Sequence, residues 1–173
     1  LDGRRSFTDN IQVDFNVEPV ERFTITATFR YTNAKIELAD KGLVERPLTS
    51  RCKGVLNLQY ATPMNKWIFD FTASVNGSCR VYDFMMNMKD AEGNLLYTGG
   101  RTPVYPLLYA QVTKRFRGLD IYLGAENLTN YRQKVVVAGD VLADGHIDPR
   151  SQSFDASCVW GPLMGIKVYA GLR

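Results

Sequence analysis

The single histidine of the chain, His146, sits in the run Asp144-Gly145-His146-Ile147-Asp148, with Asp140 shortly before it. An imidazole among carboxylates is the raw material of a metal site. The same residues also make an ordinary solvated polar loop, and that plainer reading is favoured. One histidine rules out most histidine-based nucleophile arrangements. No acid–base pair or activated nucleophile stands out elsewhere, so the chain is not read as an enzyme. Met85, Met86 and Met88 follow Cys79 closely. Thioether and thiolate are soft ligands that suit copper(I). A loop folded over a protein surface uses the same methionines as adaptable apolar cover, which is the favoured reading.

Cys52, Cys79 and Cys158 number three, so at least one is unpaired, and their spacing fits no zinc pattern. Small, partly buried side chains account for them. A Cys52–Cys79 disulfide stays open in an oxidising compartment. Asn127-Leu128-Thr129 fits the N-glycosylation pattern. Asn and Thr at a strand end also hydrogen-bond where ladder pairing gives way to loop, and that role is preferred. No catalytic, cofactor-binding or metal-ligating residue is assigned, and no cofactor is expected.

The elements that would position these residues show a period of two. Ile11, Val13, Phe15 and Val17 interleave with Gln12, Asp14 and Asn16. Phe23, Ile25, Ala27, Phe29 and Tyr31 interleave with Thr24, Thr26, Thr28, Arg30 and Thr32. The pattern returns at Leu56–Tyr60, Trp67–Asn76, Leu108–Thr113, Leu119–Glu126 and Met164–Arg173, with Val55 and Ile68 as flaws. Side chains two apart share a strand face, so each segment carries one greasy face and one polar face. The expectation is all-β, with seven antiparallel strands.

Their connections alternate in length. Short turns fall at Glu18–Glu21, Ala61–Lys66 and Phe116–Gly118; longer loops fall at about 38–48, 77–103 and 128–159. Short turns on one side and long loops on the other is the layout of a membrane β-barrel. Phe23, Trp67 and Phe116 lie beside short turns, and Tyr31 and Tyr105 lie towards the long loops. Aromatic girdles at two membrane interfaces would use these positions.

Bulk properties agree with a folded chain. Of 173 residues, 45% are hydrophobic and 23% charged, and the net charge of +3 with no Lys/Arg run gives no reason to expect nucleic acid. The chain opens Leu-Asp-Gly-Arg-Arg, without the apolar core of a signal peptide. No apolar run approaches the ~20 residues of a membrane helix, but membrane strands escape that test. A soluble antiparallel sheet alternates too, so the choice rests on the other face. Here the polar face is rich in Thr, Asn, Gln, Asp and Tyr and poor in Lys and Glu, as a wet lumen prefers. Charge is nearly absent from the apolar stripes, as lipid requires. Lumen-facing Arg30, Asp70, Asp120, Glu126 and Lys167 would need complementary partners on whatever fills the interior. Seven is an odd number for a bacterial barrel, which places the missing strands before Leu1.

The end of the chain carries a recognisable pattern. Gly124-Ala125-Glu126-Asn127-Leu128-Thr129-Asn130-Tyr131-Arg132-Gln133 resembles the GxENLTNxxQ segment that closes the penultimate strand of TonB-dependent receptors. Phe154-Asp155-Ala156-Ser157-Cys158-Val159-Trp160-Gly161-Pro162-Leu163-Met164-Gly165 resembles their FDASxVWGPxxG segment, and Val168-Tyr169-Ala170-Gly171-Leu172-Arg173 resembles their final YxGLR strand, in the Bacteroides form. The match covers about the last 55 residues by motif and the rest by pattern. Family members usually run a few residues further and end in an aromatic; this sequence stops at Arg173.

The resemblance implies an antiparallel transmembrane β-barrel fragment: residues 1–173 as the C-terminal portion, about seven strands of a 22-strand barrel, with the earlier strands and the N-terminal plug domain absent. It implies a place in the cell outer membrane and, as partners, the lipid bilayer, the plug, the TonB complex acting through that plug, and an extracellular nutrient. The nutrient would be siderophore-bound iron, haem, cobalamin or a glycan. In such a protein the glycosylation match is accidental. Two rivals remain: an unplugged outer-membrane channel, and a soluble β-barrel holding a small apolar ligand.

Overall fold

Val, Ile, Phe, Tyr and Thr fit a pleated, half-covered surface, and the alternating segments are built from them. The computed structural model describes residues 5–39, 41–89, 93–134, 139, 150, 152, 155–156 and 158–173. It turns those segments into one antiparallel sheet of eight strands: β1 (Ser6–Val20), β2 (Phe23–Leu38), β3 (Gly42–Glu45), β4 (Cys52–Ala61), β5 (Trp67–Asn76), β6 (Tyr105–Phe116), β7 (Leu119–Glu126) and β8 (Lys167–Leu172). The order is β1-β2-β4-β5-β6-β7-β8, with β3 paired to β2 beside β4. The sheet is open: among the described residues, β1 and β8 each keep one edge without a partner strand.

Seven of these strands coincide with the alternating segments, with three differences. The stretch expected as a loop at 38–48 contains β3, which pairs Lys35 with Glu45 through to Leu38 with Gly42. A four-residue strand is too short to display a period. β6 starts at Tyr105 rather than near Leu108. The last strand starts at Lys167 rather than Met164, because Asn127 and Asn130 take the backbone of Met164 and Ile166.

The short connections are local devices. Between β1 and β2, Arg22 adopts φ 70° while its N–H donates to the Glu18 carboxylate at 2.7 Å. Between β6 and β7, Gly118 sits at φ 85°, a conformation that suits glycine. Between β4 and β5, the Thr62 hydroxyl accepts from the N–H of Trp67 at 2.9 Å and pins the start of the next strand.

Register then decides which side chains share a face. Val13 stands opposite Phe29, Ile25 opposite Leu58, Leu58 opposite Phe71, Phe71 opposite Ala110, Val112 opposite Leu123, and Leu123 opposite Ala170. One apolar face therefore runs unbroken across seven strands. It is bare: Phe29, Phe71, Leu123 and Val168 are 51%, 37%, 57% and 69% exposed. Each large aliphatic left in water forgoes about 1.5–3 kcal/mol. A face of this extent needs a cover.

The opposite face is polar and internally bonded. Thr28 donates to Asp14 at 2.6 Å, Thr32 to Asn10 at 2.8 Å, Asn57 to Thr72 at 2.8 Å and Gln59 to Asp70 at 2.9 Å. Near the short turns, the apolar face ends in aromatics. Phe69 stacks between Tyr60 and Trp67, with ring centroids 6.4 and 6.3 Å away. The Lys114 ammonium stands 4.2 Å from the Trp67 ring centre. Tyr60, Trp67, Phe69 and Lys114 thus form one cluster at this end of the face. Tyr105 departs from the girdle expectation. It faces Asn76 on the polar side and is buried at the long-loop end.

The hydrophobic core lies in the loops rather than under the sheet. Val81, Met85 and Cys158 are fully buried together with Tyr97, and Leu48, Met86, Met88, Leu96 and Trp160 pack around them.

Candidate functional site

The chemistry-bearing residues of the sequence divide three ways. His146 and Asp140 lie outside the described residues. Met85, Met86 and Met88 belong to the loop core, Met85 at its centre, in the role of apolar cover. None of Cys52, Cys79 and Cys158 forms a disulfide; Cys79 and Cys158 are buried, and Cys79 is tied to the Thr102 hydroxyl. Among the described residues, no three His, Cys, Asp or Glu side chains gather as a metal site requires.

Asn127 and Gln133 are joints. Asn127 is buried at φ 53°, a left-handed conformation that Asn tolerates. Its Nδ2 donates to the carbonyls of Tyr131 and Met164 at 2.8 and 2.9 Å. Its Oδ1 accepts from the Tyr131 N–H and the Thr129 hydroxyl at 3.1 and 3.0 Å. Gln133 is buried as well. It donates to the Cys158 carbonyl at 2.7 Å and accepts from the N–H groups of Trp160 and Gly161 at 2.9 and 3.0 Å. Together they lash the end of β7 to the segment that leads into β8. This is the strand-end role expected of Asn127; the role of Gln133 depends on partners about 25 residues away and leaves no local signal.

Above them is an aromatic cap. Tyr105 stacks on Tyr131 at 4.7 Å and tilts against Trp160 at 5.6 Å. The Tyr105 hydroxyl donates to the Trp160 carbonyl, and the Trp160 indole N–H donates to the Tyr97 hydroxyl at 3.2 Å. A second brace joins β3 to the loop after β5. Glu45 takes a two-pronged grip from Arg101 at 2.9 and 3.1 Å and a further contact from Arg51 at 3.1 Å. Burial raises the Glu45 carboxyl, but the hydrogen bond and charge of Arg101, then Arg51, hold it below its ordinary value.

Between this cap and the polar face lies a cavity of about 370 Å³. Its floor includes Asn10, Arg30, Thr32, Lys53 and Asn76; Cys79, Thr102, Tyr105 and Trp160 close it from the cap. Few polar groups with convergent donors in a space of this size describe a small-molecule site. Arg30 and Lys53 stand directly opposite each other across β2 and β4. Among the described residues, no carboxylate lines the cavity. Burial pushes the Cys79 thiol up, against the pull of Thr102, so it adds no negative charge at neutral pH.

The other expected lumen charges are better matched. Asp70 accepts from Gln59, Asp120 pairs with Arg115 at 3.2 Å, and Glu126 faces Lys167 across β7 and β8. Comparison with family models, with curated proteins and with solved structures finds no match.

Proposed function

We propose that this chain is the C-terminal part of the barrel wall of a TonB-dependent outer-membrane receptor, which binds a scarce nutrient outside the cell and imports it with energy transmitted by TonB. The observation that carries the reading is the exposed apolar face that spans seven strands, set against a hydrogen-bonded polar face. The loops at one end hold the buried core, as extracellular loops over a barrel mouth would. β4 and β5 have 10 residues each, within the ~9–11 that a tilted strand needs to cross a bilayer. The GxENLTNxxQ, FDASxVWGPxxG and YxGLR resemblances supply the receptor family. The polar face would then line the lumen and meet the plug, and the cavity beneath the cap would lie on the nutrient's path.

Two tryptophans allow a direct test. Full-length protein in which every other tryptophan is replaced by phenylalanine, so that Trp67 alone emits, should show quenched emission in vesicles of brominated lipid. The matching protein with Trp160 alone should stay bright. Equal brightness of both would overturn the membrane reading. Nutrient accumulation in cells should stop when TonB is deleted; accumulation that continues would mark an unplugged channel instead.

A further inference from the structure

Like charges placed directly opposite in a sheet repel, and proteins place opposite charges there when stability is the aim. Arg30 and Lys53 break that rule on the floor of the cavity. Neither side chain makes a hydrogen bond or ion pair with a described residue, whereas Arg80, Arg101 and Arg115 all find carboxylates. The carboxylate of Asp14, two residues along β1 from Gln12, is already held by Thr28 and Gln12. Gln12 is the partner of Arg30 on the other edge of β2. One neighbour adds a donor: the Asn10 side-chain oxygen accepts from the Thr32 hydroxyl at 2.8 Å, which leaves the Asn10 amide N–H₂ available to the cavity.

We infer that the Arg30–Lys53 pair is an oxyanion-binding site and that the nutrient taken up by this protein carries a carboxylate or phosphate group. This rests on the receptor reading and narrows it to anionic cargo. A guanidinium offers two parallel donors to such a group and an ammonium adds a point charge, so the two cations suit one shared oxyanion. The roof excludes bulk water from one side, which strengthens the attraction. Anion binding would also remove the repulsion that the empty site carries.

The test uses the full-length protein in detergent, with citrate and inorganic phosphate as probes and glucose as a neutral control, all at one ionic strength. Citrate or phosphate should bind and raise the thermal midpoint of the wild type, while glucose does neither. Arg30→Gln and Lys53→Gln should each weaken anion binding at least tenfold. Because each removes a like-charge contact, both variants should melt no lower than the wild type without anion. A wild type that binds neither anion would overturn the inference, as it would if a carboxylate of the plug already occupied the pair. So would variants that bind as well as the wild type. Either result leaves the Trp67 quenching experiment untouched, so failure of the anion site and failure of the membrane reading are distinguishable.

Discussion

Asn127 shows how much one side chain can hold. It satisfies two carbonyls, an N–H and a hydroxyl, from a backbone conformation that alanine disfavours. Asn127→Ala should therefore cost about 3 kcal/mol, the sum of orphaned buried groups and a strained φ. Chemical unfolding in detergent measures this, and a variant as stable as the wild type would refute the joint. At this scale the sequence was partly legible. Asn127 and Thr129 could be placed at a strand end because the alternation stops there. The facing of Arg30 with Lys53 could not be read, since neighbours across a sheet are set by register and by which strands pair. Nor could Gln133 be given a role, as its partners come from Cys158 to Gly161.

Individual strands are joined by more than their ladders. The Tyr169 ring of β8 lies over Gly124 of β7, where a Cβ would collide with it, and its hydroxyl donates to Gln111 of β6 at 3.0 Å. Tyr122 covers Gly171 in the same way, and the two tyrosine rings tilt together at 6.3 Å. An aromatic laid over a cross-strand glycine repairs the packing that glycine lacks. Gly124→Ala should push the Tyr169 ring aside, break its bond to Gln111 and cost about 1 kcal/mol. In a double-mutant cycle with Tyr169→Leu, the two losses should overlap rather than add; strict additivity would show that ring and glycine are uncoupled. Strand existence was legible from alternation at every long segment. Strand limits were not, because β3 is short and the start of β8 is decided by asparagines elsewhere in the chain.

The whole molecule is an open wall, apolar on one side and polar on the other, with its own small core at one rim. If lipid covers the apolar side, Leu123→Arg should cost about 2–4 kcal/mol near the bilayer centre, while Thr72→Arg on the polar side should cost less than about 1 kcal/mol. Unfolding of both variants in lipid vesicles would show the asymmetry, and a reversed order would favour a soluble barrel. The sheet was legible from the sequence because alternation is a property of one segment at a time. The cavity was not, because its floor comes from four strands and its roof from β6 and distant loops.

That separation has a kinetic consequence. Neighbouring long strands mostly follow one another along the chain, so the wall can zip hairpin by hairpin with small closure cost. The cap cannot. Trp160 meets Tyr97 across 63 residues, with two whole strands between them, so this contact waits until β6 and β7 are in place. The aromatic lid is thus a late latch, and its closure reports that the stave beneath it has been assembled.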